Sequence, residues 1–502
     1  MPNNEFGDFQ TPLDLALQCL RVVGLPKAAR VLEPTCGTGS FLRAASILSP
    51  DSERIGIELQ QSHAASASEW GTVLCQNIFS MQPDRQLRWQ SDGPLFIVGN
   101  PPWVTSAELN RMDSDNLPAK ENFKKAKGLD AILGGANFDV CEYIILKMID
   151  SYRAQPFTLG MLCKTHVARN VVLYAASAHW PVVSSAVYRI DAKKWFGAGV
   201  DACWFTIKID SRCPADYTTP VYDDLFAPEA APSSRFGIVD GQLVSDIDKY
   251  DGVKQADGHC PYEWRSGLKH DAAGVFELVA TPEPATQSGH RLDLEPGYIY
   301  PFLKSTDIFR GRQQVLSKWV IVPQHSFNDD TTQLEYCAPK LWQYLLDNSS
   351  ALDSRKSSIY RNRPRFSVFG HGPYTYAPFK VAVSGLHKEP VFRLVSPIEK
   401  QPVVLDDTCY FLPFTDPSAA LAVTAMLNTE QCRDLIESLV FWDSKRPITK
   451  KLLARIDLGK LGCDEKQITN TATIEAKHLG ITFDPDSVNN LFDDSRRNLA
   501  VS

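Results

Sequence analysis

Residues 98–104 read VGNPPWV, an apolar run that ends in Asn100, Pro101, Pro102 and Trp103. Two consecutive prolines remove two backbone donors and fix two φ angles, so the strand stops abruptly in a rigid loop. The loop presents unclaimed carbonyl oxygens beside an Asn side chain that accepts through its oxygen and donates twice through its nitrogen. Such a loop suits gripping an amino group.

A second constellation lies upstream. Residues 31–41, VLEPTCGTGSF, place Glu33, Pro34 and Cys36 before a G-x-G turn of Gly37 and Gly39, between a predicted strand and a predicted helix. Glycines there let the backbone approach a ligand closely, and the helix N-terminus offers free N–H groups. Twenty-one residues after Gly37, Glu58 ends the expected second strand within RIGIELQ. In a doubly wound fold that is where a carboxylate accepts from the ribose hydroxyls of an adenosine ligand. Phe41 and Leu42 stand where a nicotinamide dinucleotide site would bring its third glycine. An adenosine-containing cofactor of another kind is expected.

The elements that must hold these residues are legible as alternation. ARVLEPTCG, ERIGIELQ, PLFIVGN and FTLGMLCK read as buried strands, and SFLRAASIL and FDVCEYIILKMIDSYRA have helical spacing. Strand and helix in turn imply a parallel sheet with helices on both faces. AVYRIDA and ACWFTIKID are expected as strands at one edge of that sheet. The expected organisation is a catalytic domain over 1–213, a Pro- and Ser-rich linker over 214–261, a second α+β domain over 262–475 and a tail over 476–502.

At 502 residues the chain is long enough for two or three domains. No apolar run approaches a membrane span and the opening lacks the regions of a leader peptide, so a cytoplasmic protein with no membrane partner is expected. The 12 cysteines are scattered without a C-x-x-C pair, which argues for reduced thiols and no metal site. His166 reads as a structural or surface histidine rather than a ligand. Net charge is −7, yet Ser354–Lys388 holds Arg355, Lys356, Arg361, Arg363, Arg365, Lys380 and Lys388 with no Asp or Glu before Lys388. Tyr360, Phe366, Phe369, Tyr374, Tyr376 and Phe379 interleave with them, a mixture suited to phosphates and bases.

The turn after the first strand resembles the first motif of S-adenosylmethionine-dependent methyltransferases. With the Asn100–Trp103 loop added, the chain resembles the gamma-class adenine-N6 DNA methyltransferases of restriction-modification systems. FQTPLDLA, with Thr11 and Pro12, resembles that family's short cofactor-side segment. The resemblance covers most of the first 210 residues and continues more diffusely through YPFLKSTDI, RPRFSVFGHGPYTYAPFKVAVSG and SKRPITKKLLARIDL. It implies a class I, Rossmann-like doubly wound sheet followed by an α+β target-recognition domain. The implied cofactor is S-adenosyl-L-methionine, held by Thr11, Glu33, Pro34, Cys36, Gly37, Gly39, Glu58, Asn77 and Asn100.

Asn77 departs from the family's usual Asp, and Trp103 from its usual Tyr or Phe. The resemblance implies that Asn100 and Pro101 accept from the adenine amino group, while Pro102 and Trp103 complete the catalytic loop. Trp103 and a second ring, Phe196 or alternatively Trp195, would stack on a base flipped from double-stranded DNA. Phe138 lies near enough in motif order to line the pocket. Arg361, Arg363 and Arg365, expected on one face of a strand, together with Lys380, Lys445 and Arg446, are the expected DNA contacts. A monomer with a cognate restriction endonuclease or other defence proteins as partners is expected. The competing readings are an RNA adenine or protein-glutamine methyltransferase, and a DNA-binding component of a defence complex with little turnover.

Overall fold

The computed structural model describes residues 9–105, 139–280, 284–326, 329–489 and 491. The chain divides into two compact units, Met1–Asp248 and Lys249–Ser502.

Among its described residues the first unit is built on one sheet of ten strands: β1 (Arg30–Glu33), β2 (Glu53–Glu58), β3 (Thr72–Cys75), β4 (Leu95–Gly99), β5 (Phe157–Lys164), β6 (Val182–Ile190), β7 (Ala202–Ile209), β8 (Thr219–Tyr222), β9 (Ser234–Val239) and β10 (Gln242–Val244). Their order is β10-β9-β8-β6-β7-β5-β4-β1-β2-β3. From β3 to β5 the neighbours are parallel, and β7 runs antiparallel between β5 and β6. The helices used below are α1 (Leu13–Val23), α2 (Ser40–Leu48), α3 (Gln61–Ala67), α4 (Val140–Tyr152) and α5 (Thr165–Ser177).

Strands covered by helices on both faces must be apolar throughout, and β4 is buried at all five positions. Phe41 of α2 stacks on Trp204 of β7 with centroids 5.6 Å apart and planes 11° apart, both rings nearly inaccessible. A ring buried in this way contributes about 3 kcal/mol. Phe41 therefore fills the helix–sheet contact that a glycine would otherwise narrow. After β1 the chain builds outward to β2 and β3, then returns to the other side of β1 as β4. This reversal opens a crevice at the carboxyl ends of β1 and β4, where ligands bind in open α/β sheets.

Three expectations about organisation are corrected. Residues 214–261 are not a linker, because β8, β9 and β10 extend the sheet beyond β6 and the division between units falls at Asp248. Val221 and Phe236 are buried there, so alternate apolar residues among the Pro and Ser suffice for strands. The β6–β7 pair is interior for the same reason. The helix Glu465–Leu479 crosses the expected boundary at 475, and Val488 beyond it is fully buried, so the described part of the tail is packed.

The second unit carries two sheets. Its strands are β11 (Arg265–Ser266), β12 (Glu277–Ala280), β13 (Pro284–Ala285), β14 (Ile299–Leu303), β15 (Lys318–Ile321), β16 (Phe379–Ser384), β17 (Phe392–Val395), β18 (Val404–Leu405) and β19 (Cys409–Phe414). Five are ordered β13-β12-β15-β14-β18 and four β11-β19-β16-β17. Leu341 and Leu345 of the helix Pro339–Asp347 join Phe302 and Val320 in one core, and the almost wholly buried helix Pro417–Leu427 lies against β16 and β17. Among the described residues of either unit no helix is long and apolar enough to cross a membrane.

Candidate active site

The turn after β1 is left-handed at Gly37 (φ 51°) and Gly39 (φ 86°). A Cβ on Gly39 would lie 2.9 Å from that of Ala67 in α3, so both backbone angle and space demand glycine. Glu58, at the end of β2, closes the turn: its Oε2 accepts from Gly37 N–H and its Oε1 from Gln60 N–H, each at 2.8 Å. Each oxygen keeps a further lone pair for a ligand. Glu33 is 2% exposed and accepts from Leu42 N–H at 3.2 Å. Burial pushes its carboxyl well above the ordinary range; the Leu42 bond opposes that rise and the charge of Glu58 adds to it.

Cys36 packs with Leu42 and Ala67 and lies within contact of Gly56, and burial pushes its thiol far up, so it is inert packing.

Pro34, Gly37, Glu58, Asn77, Asn100 and Pro102 line one cleft at the carboxyl edge of the sheet. Cys36, Gly39, Glu33, Pro101 and Trp103 are not among its lining residues. Thr35, Leu59, Ile78, Phe79, Val140 and Ile144 also line the cleft and were not anticipated. Leu59 and Ile78 directly follow Glu58 and Asn77, and an apolar residue just after a polar strand end was the available signal. Asn77 Oδ1 accepts from Phe79 N–H at 2.9 Å, so the amide shapes the turn that presents Phe79 and keeps one lone pair. Lys147 of α4 fixes that turn from behind by donating to Phe79 O at 2.8 Å. Thr35 Oγ1 is buried with no partner among the described residues.

Asn100, immediately after β4, donates from Nδ2 to Phe9 O at 3.0 Å and to Thr11 Oγ1 at 3.2 Å. Its Oδ1 is buried and has no partner among the described residues. Pro101 and Trp103 are buried, and Trp103 Nε1 donates to Leu162 O of β5 at 3.2 Å, which pins the indole to the sheet. The rings of Phe9, Trp103 and Phe196 meet one another, with centroids 5.7 Å (Phe9–Trp103), 5.6 Å (Phe9–Phe196) and 5.2 Å (Trp103–Phe196) apart. Trp195 turns away and stacks on Phe226 at 5.7 Å, so Phe196 is the ring beside Trp103. Phe9 was missed; its place two residues before Thr11 was the only clue. Phe138 lies outside the described residues.

In the second unit Arg361, Arg363 and Arg365 do not form a strand. They follow a turn at Ser358–Tyr360, because Pro364 and the left-handed Phe366 (φ 66°) forbid extended pairing. The three nevertheless line one depression of about 280 Å³ with Arg355. Arg355 is committed to the fold, donating to the carbonyls of Leu352, His270 and Ser367 and lying 3.8 Å from the Tyr360 ring centroid. Arg365 pairs with Asp353 at 2.8 Å and Arg446 with Asp407 at 3.1 Å; Lys445 is exposed.

Lys380 is a correction. It is 1% exposed, donates to Ala377 O at 2.6 Å and is held by burial at a pKa of about 7, so it belongs to the core and not to a DNA-facing surface. Phe366 is likewise buried, so the interleaved aromatics are not one exposed stripe.

No family model matches the chain. It is 36% identical over 469 residues to the type II methyltransferase M.NspV of Nostoc sp., across 91% of this chain and 97% of that one. Among solved structures, the type IIL restriction-modification enzyme MmeI in complex with DNA superposes with a TM-score of 0.52 at 12% identity. That match covers 89% of this chain and 64% of the other, so the chain spans somewhat under two thirds of that enzyme. Likeness at so low an identity speaks for the fold, which is that of the class I S-adenosylmethionine-dependent methyltransferases. Identity of more than a third along nearly the whole of both chains reflects descent, and by it the chain belongs to the type II methyltransferases of restriction-modification systems.

Proposed function

We propose that the protein transfers a methyl group from S-adenosyl-L-methionine to the N6 amino group of an adenine flipped out of double-stranded DNA, as the modification enzyme of a restriction-modification system. The observation that carries this reading is the buried, unpartnered Asn100 Oδ1 beside Pro101 at the carboxyl edge of β4.

The cleft fits the cofactor. Glu58 has lone pairs left for two ribose hydroxyls, Asn77 has one for an adenine amino group, and Leu59, Ile78 and Phe79 offer apolar walls to a flat ring. Glu33, buried with no Lys or Arg partner among the described residues, suits the ammonium of the amino-acid end, and Thr35 Oγ1, unpartnered among them, can bond as well. When bound, the cofactor supplies a sulfonium-activated methyl group.

The exocyclic nitrogen of adenine is a poor nucleophile because its lone pair is delocalised into the ring. Accepting its two N–H bonds at Asn100 Oδ1 and the Pro101 carbonyl draws the nitrogen toward a pyramidal geometry and aims the lone pair at the methyl group. Trp103 and Phe196 flank the base. Because these rings now meet edge to face at 5.2 Å, the base must part them on entry. Arg361, Arg363, Arg365, Lys445 and Arg446 contact the duplex, mainly its phosphates. The protein works as a cytoplasmic monomer alongside a cognate endonuclease.

The test is transfer of labelled methyl to unmethylated genomic DNA by wild type and Asn100→Ala, with nucleoside analysis. N6-methyladenine from wild type and a loss of at least about a hundredfold in the variant are expected. Cofactor binding without transfer to DNA overturns the reading and brings RNA or protein amides forward.

A further inference from the structure

The segment Phe9-Gln10-Thr11, just before α1, reaches two parts of the site at once. Gln10 Oε1 accepts from Thr38 N–H at 3.0 Å and from Thr38 Oγ1 at 2.8 Å, which ties the segment to the turn after β1. Phe9 O and Thr11 Oγ1 both take hydrogens of Asn100 Nδ2. Thr11 is 7% exposed, so no bulk water competes for that bond.

An Asn side chain has nearly the same shape whichever end faces a cleft, and only its hydrogen-bond partners decide. The Phe9 carbonyl has no hydrogen to give and therefore accepts only the NH2 end. With both amide hydrogens committed on that side, the oxygen is the end left to face the cleft, where it is buried and unpartnered. A turned amide would set its oxygen against the Phe9 carbonyl oxygen and present N–H groups to an amino group, donor against donor.

We propose that Thr11 is a positioning residue: with the backbone carbonyl of Phe9 it holds the Asn100 side chain so that its oxygen is presented to the incoming amino group. This rests on the reading of Asn100 as the acceptor of that group. It gives Thr11 a task different from cofactor contact, and the two tasks separate experimentally.

Thr11→Val keeps the shape and removes the acceptor; Thr11→Ser keeps the hydroxyl. Under single-turnover conditions, with saturating S-adenosylmethionine and DNA, the Val variant is expected to lose about 10- to 100-fold in the transfer step, the usual consequence of a misaligned reacting group. Its cofactor and DNA dissociation constants stay within about twofold, and the Ser variant returns to within about threefold of the wild-type rate. A Val variant at wild-type rate, a rate loss that tracks lost cofactor affinity, or a Ser variant no better than Val overturns the assignment.

A second readout does not depend on the acceptor. In protein labelled with 15N-asparagine, the Asn100 side-chain NH2 signals, identified by their loss in Asn100→Asp, are expected to exchange slowly in wild type, with one proton exposed to fast exchange in Thr11→Val. If wild type methylates something other than adenine, the proposed function fails while Thr11 is still judged on that acceptor and on the exchange. If N6-methyladenine forms and Thr11→Val is normal in both rate and exchange, the positioning role alone fails.

Discussion

Two glutamates, one in each unit, are almost equally buried and electrostatically opposite. Glu33 is 2% exposed and Glu277 of β12 is 3% exposed. Glu277 takes Lys304 Nζ on Oε1 and Lys318 Nζ on Oε2, both at 2.6 Å, with His270 Nε2 3.5 Å from Oε1. Burial alone would raise its pKa, but the bonds from His270, Lys304 and Lys318 reverse that and hold it far below the carboxylate range. Glu33 has one backbone N–H and, among the described residues, no Lys or Arg as partner, so burial prevails.

A carboxylate that the fold neutralises is part of the structure. One left without a cation beside a cleft stores a cost that a cationic ligand could relieve.

The comparison can be broken or sharpened by experiment. The largest effect is expected from making Glu277 resemble Glu33. Lys304→Met with Lys318→Met leaves a buried carboxylate beside His270 alone. The lysines are about a third exposed, so water screens part of each pair, and about 3 kcal/mol of stability should be lost at pH 7. In wild type the depressed carboxyl contributes stability that is fully present above its unfolded pKa, near 4.5, and is lost as pH falls. The variant's deficit should therefore shrink below about pH 5, once the carboxyl protonates. Urea unfolding across that range reads it; a deficit independent of pH would make the loss one of packing.

Lys380 is the residue that could break the comparison, because the second unit then also holds a buried cation with no acidic partner among the described residues. Its folded pKa of about 7 lies below the ordinary 10.5, so the unfolded chain binds the extra proton between these values and stability rises with pH across them. Lys380→Met should stabilise by about 2 kcal/mol at pH 7, the gain fading toward pH 10. DNA affinity should be unchanged. A loss of DNA affinity with the fold intact would return Lys380 to the contact surface.

Glu33→Gln should behave as the smaller mirror image. The raised carboxyl makes the folded state the better proton binder, so stability falls as pH rises above the unfolded value near 4.5. The variant should gain about 1 kcal/mol at pH 8, the worth of one pKa unit, with no gain near pH 4. Calorimetric titration should show cofactor affinity weakened about tenfold, the worth of one charge-assisted bond. The smallest effect belongs to an exposed cation: Arg361→Ala should weaken DNA binding about three- to tenfold and make the salt dependence shallower by about one unit.

The sequence by itself determined the catalytic half to the level of single strands and the turn between them. Apolar runs ended by Glu33, Glu58 and Asn100 can be buried only as parallel strands with those residues at one edge, and local chemistry, glycine before a helix and proline after a strand, says where each stops. That logic is short-range, which is why it survives without coordinates. It also misled: Pro- and Ser-rich residues 214–261 carry β8–β10, and Arg361, Arg363 and Arg365 share a depression without sharing a strand.

What only the tertiary structure decided were the contacts between residues far apart in the chain. Whether a lysine faces water or is sealed in the core, as Lys380 is, depends on what packs over it. Which end of Asn100 faces the cleft depends on Phe9 and Thr11, about 90 residues away, because the two ends of an amide differ in nothing but the partners that surround them.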